Sequence, residues 1–161
     1  MDFDLTADQE ALRSGLRALL VGRFPMETIR ATERAPGCVD PAGWRELVDA
    51  GVFSLRLPED RGGVGLGMAE AVLVFEELGR SLVPGPLVAT HLAAGVVPGS
   101  VVGLVDLRAV PLLVEHFEAL DTLVLVGDDG IRVVEPDRVE AEPIVRPLDP
   151  LTPLHRVTPL P

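Results

Sequence analysis

"LPEDRGGVGLGMAEAVLVFEELGR", residues 57–80, sets four glycines within six positions directly ahead of an apolar helix pattern that also carries acids. Glycines in such a place either offer backbone N–H groups to a phosphate or supply the positive φ that a tight turn requires. A dinucleotide or P-loop cradle holds its glycines in a fixed register between a strand and a helix, with a Lys or a ribose-binding acid following. Gly62, Gly63, Gly65 and Gly67 keep neither register, they follow the short link "VFSLRLPEDR" after a helix pattern, and the chain contains no Lys. On residue chemistry the stretch reads as a turn.

The flanking sequence is helical. Thr6 with Gln9 three residues on forms a capping-box pattern, and Leu12, Leu16, Leu19 and Leu20 recur at helical spacing up to Phe24, where Pro25 stops the helix. A shorter helix is predicted from Pro25 to about Glu33, ended by "APG". "DPAGWRELVDAG" places Asp40 as N-cap, Pro41 at the first helical position and Gly51 as stop. After the glycines, Met68, Val72, Phe75, Leu78 and Leu82 mark one helix face, with Glu70, Glu76, Glu77 and Arg80 mostly elsewhere. This spacing predicts Trp44, Leu47, Val72, Phe75 and Leu78 buried together. Pro84 and Pro86 close that helix, and "PLVATHLAAG" predicts one more to Gly95.

From about Gly99 the texture changes to β-branched runs: "VVGLVD", "TLVLVG" and "IRVVEP", the last two joined by the hairpin signal "DDG". The ending "PLDPLTPLHRVTPLP" carries five prolines in fifteen residues, which predicts edge strands or extended loop. The fold class is α+β: an all-α helical bundle over 1–98, then a partial antiparallel β-domain over 99–161. An antiparallel unit normally needs more strands to close its core, so at least one strand edge is expected to stay unpaired. The abrupt Pro-rich end also suggests a piece of a longer chain.

Composition narrows the function classes. The chain of 161 residues is 47% hydrophobic and 24% charged, the range of a globular protein. Its formal charge of -11, from 25 acids against 14 basic residues, repels phosphate backbones and anionic membrane surfaces, so neither nucleic acid nor membrane is expected as a partner. Cys38 is the only cysteine, which excludes an intramolecular disulfide and a cysteine-rich metal site. "MDFDLTADQE" lacks a signal-peptide core, and a cytoplasmic location is the expectation.

The ordered stretch "GWRELVDAGVFSLRLPEDRGGVGLGMAEAVLVFEELGRSLVPGPL" resembles the N-terminal helical domain of the acyl-CoA dehydrogenases. In that family a helix ending in "aG", the link "lPEe.GG.Gl" and a helix ending in "EELGR" follow one another. The likeness runs from about Leu5 to Gly95 and is strongest from Trp44 to Arg80. A fainter one continues through "EHFEALDTLVLVGDDGIRVVEP", where Ala119, Leu120 and Asp121 stand at the place of an "AD" pair with an inserted Leu.

The resemblance implies FAD-dependent α,β-dehydrogenation of an acyl-CoA thioester, with a carboxylate taking the α-proton and flavin N5 the β-hydride. It implies electron-transfer flavoprotein as a partner, and homo- or hetero-oligomers of dehydrogenase subunits. The base in most members is a Glu in a C-terminal helical domain, beyond the last residue here. Competent middle domains also carry "TEP..GSD" and "W.TN" motifs; here "PGSVVGLVD" runs directly into "LRAVPLLVEHFEALD" with room for neither. No catalytic or metal-binding residue is therefore expected, and FAD is not expected on the chain alone. The segment after "EELGR" lines the distal acyl pocket in the family, which puts Pro86, Leu87, Thr90, His91 and Ala94 on a candidate substrate wall, with core packing as the other reading. Glu76 and Glu77 point about 100° apart on a helix and form no carboxylate pair. His116 and His155 have no neighbouring partner in sequence. Two functions stay open: a component of a flavin-dependent dehydrogenase that acts beside a competent subunit, or a non-catalytic acyl-CoA-binding or interaction module.

Overall fold

The computed structural model describes residues 4–158; the ends of the N-terminal decapeptide and of the Pro-rich tail quoted above, residues 1–3 and 159–161, lie outside them. Five helices come first: α1 (Ala7–Arg23), α2 (Met26–Thr32), α3 (Pro41–Asp49), α4 (Met68–Arg80) and α5 (Leu87–Ala93). Six strands follow: β1 (Val102–Asp106), β2 (Leu113–Glu115), β3 (Thr122–Gly127), β4 (Gly130–Val134), β5 (Ala141–Pro143) and β6 (Leu154–Val157). None of the described helices is long and apolar enough to cross a membrane.

The helix ends use the expected chemistry. Thr6 Oγ1 accepts from Gln9 N–H at 3.2 Å while Gln9 Oε1 accepts from Thr6 N–H at 3.1 Å. Asp40 accepts from the N–H groups of Ala42 and Gly43. Gly51, at φ 75, closes α3, and Val52 N–H returns to the Leu47 carbonyl. Leu16, Leu20, Phe24, Trp44, Leu47, Val74 and Leu78 are buried in one helical core.

α4 does not bury the stripe its periodicity marks. Val72 is 58% exposed, Met68 58% and Leu82 57%; Ala71, Val74, Glu77 and Leu78 face the core instead, and Phe75 is half-buried. Of the predicted quintet, Trp44, Leu47 and Leu78 are buried and Val72 is not. The cause is that α4 is apolar on two sides, and α1 packs on the side that lets Arg17 reach Glu77. Glu77 is 1% exposed, and Arg17 donates Nε at 2.8 Å and Nη2 at 2.5 Å to its two oxygens. Leu82 lies past the helix end in the left-handed region, φ 51, with its N–H on the Gly79 carbonyl.

The strands form two three-stranded sheets, ordered β1-β3-β4 and β2-β6-β5. β3 and β4 are the expected hairpin, antiparallel through the pair Gly127↔Gly130, whose φ of 115 suits glycine alone. β1 and β3 run parallel, from Val102↔Thr122 to Asp106↔Val126, so the first sheet is mixed and not purely antiparallel. The intervening chain, which includes β2 in the other sheet, supplies the long crossover a parallel pair needs. In the tail the difference is larger: β6 lies centrally, paired to β2 on one side and β5 on the other. Its prolines flank the strand and leave "LHRV" free to donate, while Pro143 sits on the edge strand β5. β4 ends its sheet, with Ile131 59% and Val133 48% exposed.

Candidate functional site

The glycine loop is a turn that uses its own backbone. Gly62 N–H donates to the Glu59 carbonyl, Gly63 to Pro58, Gly65 to Leu57 and Leu66 to Leu55. Gly62 at φ 77 and Gly65 at φ 70 hold conformations that a β-carbon disfavours, and a methyl on Gly63 would overlap the Leu57 carbonyl. With these donors engaged, the loop has no cradle to offer a phosphate. Arg61 Nη2 donates to the Gly95 carbonyl at 2.5 Å, which ties the loop to the end of α5.

Beyond α4, Gly85 at φ 129 passes under Trp44, close enough that a β-carbon would overlap the indole, and Pro86 then starts α5. Thr90 fastens α5 to the first sheet: its hydroxyl accepts from Val102 N–H at 3.1 Å and donates to the Val102 carbonyl at 3.4 Å. Asp121, at the place of the "AD" aspartate, accepts from Val101 N–H at 2.8 Å and fixes the entry to β1.

Between α5 and the sheets lies a groove of about 470 Å³, walled by Pro86, Val88, Ala89 and Leu92 with Gly103, Leu104, Leu113 and Leu154, and holding one charge, Glu115. Gly103 is without alternative here, because a β-carbon would press on Leu120, Leu123 and Val114. Of the five residues of the expected substrate wall, Pro86 lines this groove. Leu87 packs against the helical core, Thr90 is bound to Val102, Ala94 is buried, and His91 turns toward α4. Val88, Ala89 and Leu92 belong to the groove and were absent from that set. The signal for them is the period of α5: a helix docked through Thr90 and Ala93 turns 88, 89 and 92 outward.

Among the described residues, the histidines, Cys38 and the adjacent acids of α4 are engaged within the fold. His91 meets the Phe75 ring edge-on at 5.1 Å between centroids, its Nδ1 is buried without a partner, and burial pushes its pKa below the ordinary value. His116, 2% exposed, holds Nδ1 2.7 Å from the Gly37 carbonyl and is pushed down by burial, against backbone contact with Gly37 and the charges of Glu115 and Asp149. His155 tilts on Phe117 and is lowered by burial as well. Burial raises the Cys38 thiol, which makes a thiolate scarce at neutral pH. Glu76 accepts from Arg80 in solvent while Glu77 is buried on Arg17, with Arg80 Nε 3.7 Å away, so the two acids are held by arginines and form no carboxylate pair. Among the described residues no group of three His, Cys, Asp or Glu side chains could hold a metal ion.

A flavin does not fit what is present. The polar edge of its ring needs hydrogen-bond partners, each unmade bond costing about 1 kcal/mol or more. The link 107–112 between β1 and β2 is short, surface-lying and without a Ser, Thr or Trp side chain. The groove beside it is apolar apart from Glu115.

A helical layer with a "PE.RGG.G" turn, docked on small strands beside an apolar groove, is the architecture of one class of flavin-linked oxidoreductases. The chain belongs to the acyl-CoA dehydrogenase family: the family model for "Acyl-CoA dehydrogenase, N-terminal domain" matches residues 6–101. Acyl-CoA dehydrogenase IpdE2 of Mycolicibacterium smegmatis is 39% identical over 90 residues, which are 55% of this chain and 29% of that protein. Benzylmalonyl-CoA dehydrogenase of Aromatoleum aromaticum is 34% identical over 80 residues, 50% of this chain and 21% of that protein. The chain thus spans less than a third of these relatives. Solved structures share the fold over nearly the whole chain. A variant of the Tcur3481-Tcur3483 steroid ACAD superposes with a TM-score of 0.70 at 22% identity, covering 94% of this chain and 54% of that one. The ChsE4-ChsE5 complex of Mycobacterium tuberculosis gives 0.66 at 17% identity, covering 98% and 55%.

Proposed function

We propose that the chain is the helical and partial-sheet portion of a flavin-dependent acyl-CoA dehydrogenase, in which residues 1–98 and 99–161 are the two units and the groove beside α5 takes the acyl chain of an acyl-CoA. Pro86, Val88, Ala89 and Leu92 touch the acyl group, while Leu87, Thr90, His91 and Ala94 hold the wall from behind. The observation that carries this reading is the family match over 6–101 joined to an apolar groove at the segment after "EELGR". The catalytic carboxylate and FAD come from a partner subunit or from further sequence, since this chain builds no flavin site. A cytoplasmic hetero-oligomer in fatty acid or lipid metabolism, passing electrons to electron-transfer flavoprotein, completes the proposal.

Coexpression with a homologue that carries the "TEP..GSD" and "W.TN" motifs tests it. The expected result is a yellow complex, equimolar in flavin, that bleaches on addition of an acyl-CoA, with a colourless chain when expressed alone. Flavin equimolar with the isolated chain would refute the need for a second source. Tight acyl-CoA binding by the isolated chain, with no flavin in any combination, would leave a carrier instead of a dehydrogenase.

A further inference from the structure

A hollow of about 390 Å³ opens at the C-terminal end of α4, where Gly79, Leu82 and Pro84 face Glu115, His116 and Asp149. Its donors are spent inside the fold. The N–H groups of Leu82 and Val83 go to the Gly79 and Leu78 carbonyls, that of His116 to Pro153, and those of Leu151 and Thr152 to Asp149, while Thr152 Oγ1 donates to the Asp149 carboxylate. Pro84 has no N–H to give. Acceptors remain. The Glu115 side chain makes no hydrogen bond or ion pair with the described residues, and the Asp149 carboxylate, with two bonds accepted, keeps lone pairs to spare.

His116 adds an acceptor of a rarer kind. The Gly37 carbonyl, 2.7 Å from Nδ1, can only accept, so Nδ1 carries the ring proton and Nε2 is left as a lone pair. Burial keeps this imidazole, in a residue 2% exposed, neutral at neutral pH. Nε2 has no partner among the described residues, yet it is not sealed in as Nδ1 of His91 and of His155 are. The ring therefore offers that lone pair where His116 lines the hollow. The end of α4 contributes the negative pole of its helix dipole.

We propose that this hollow binds a small organic cation with several N–H donors, a guanidinium or primary ammonium compound. Nε2 takes one N–H, and the Glu115 and Asp149 carboxylates take others together with the charge. An anion would meet two carboxylates and a helix C-terminus. A metal ion is not the occupant, because no three His, Cys, Asp or Glu side chains of the described residues stand close enough to hold one. Leu82 and Pro84 supply apolar contact for a short alkyl stem behind the cationic head. The site stands apart from the dehydrogenase reading and does not depend on it.

The experiment titrates agmatine, which carries both head groups on a butyl stem, into the full chain at neutral pH. Calorimetry gives the affinity, and NMR of the imidazole nitrogens reports the contact. The expected result is one-to-one binding that shifts His116 Nε2 and leaves the nitrogens of His91 and His155 in place. Glu115→Gln and Asp149→Asn should each weaken binding about tenfold, the loss of one charge-assisted hydrogen bond. Glu142→Gln, on the exposed strand β5, removes the same charge elsewhere and should leave the affinity unchanged. Because the Glu115 side chain bonds nothing within the fold, Glu115→Gln decides the case if Asp149→Asn disturbs its loop. No saturable binding at millimolar agmatine would overturn the proposal. Equal weakening by Glu142→Gln, with His116 Nε2 unmoved, would overturn it too, in favour of a general attraction of cations to a chain of charge -11. Tighter binding of an arginine-containing peptide than of agmatine would overturn the assignment to a free small molecule.

Discussion

At Gly63 the N–H donates to the Pro58 carbonyl and the Cα faces the Leu57 carbonyl, leaving no space for a methyl. Gly15, in the middle of α1, has nothing within 4 Å of an added β-carbon. Gly63→Ala is therefore expected to lower the melting temperature by several degrees, whereas Gly15→Ala raises stability by about 0.5–1 kcal/mol, because alanine costs less chain entropy in a helix. A urea titration of both variants checks the opposite signs. Glu77 makes a second residue-scale case. Its carboxylate is held below the usual range by the Arg17 guanidinium hydrogen bonds, burial opposing, with Arg80 3.7 Å away. Arg17→Met leaves that buried charge with the longer contact alone and should cost more stability than Arg80→Met. Because Glu77 is lowered in the fold, its stabilisation is present above the ordinary carboxylate range and is lost as pH falls through its depressed value; in Arg17→Met the loss should begin at higher pH.

At the scale of elements, α4 separates a buried stripe from an exposed one. Leu78 is 0% exposed and Val72 58%, so in the isolated chain Leu78→Ala should cost about 2–5 kcal/mol and Val72→Ala no more than about 0.5 kcal/mol. Equilibrium denaturation of the two variants tests whether the stripe is free. The same helix marks what the sequence could disclose. Its start after the glycine turn was legible, because glycines act within a few residues, but its end was not: Leu82, read as part of the helix stripe ahead of Pro84, lies past Arg80 in the left-handed region. Which stripe faces inward was not legible either, since Met68-Val72-Phe75 and Ala71-Val74-Leu78 are both apolar at helical spacing, and the choice is made by Arg17, sixty positions away in sequence. The β3–β4 hairpin was legible for the local reason that "DDG" encodes its turn. The parallel β1–β3 pair and the central place of β6 are non-local pairings with no short-range signature. The family motif pointed to the segment 86–94, of which Pro86 lines the groove beside α5; the helix rotation that brings Val88, Ala89 and Leu92 to the groove is fixed by the Thr90–Val102 hydrogen bonds, which no local pattern encodes.

For the whole molecule, three histidines are buried or half-buried and all are lowered by burial, and their positions span both halves: His91 on α5, His116 against Gly37, His155 on β6. The unfolded chain binds a proton at each near its ordinary value of about 6.5, and the folded chain resists until lower pH. The unfolded state thus holds more protons in that window, and stability rises with pH through it. Melting temperature should hold above about pH 7 and fall progressively below 6.5 as the histidines are forced to charge. His116→Asn should flatten part of that fall; an unchanged slope would exclude His116 as a contributor. A different consequence follows from Trp44. It is the only tryptophan, the chain has no tyrosine, and its ring stacks on Phe53 at 4.8 Å while its benzo edge rests against Gly85. It also borders a hollow shared with Val101 and Ala119, where helices and sheets meet. The protein therefore carries one intrinsic fluorophore, set in an apolar seam with its Nε1 shielded from solvent. Its emission should be blue-shifted in the native state, and any parting of the two halves, whether by denaturant or by a partner, becomes readable as a change of colour in a single unlabelled residue.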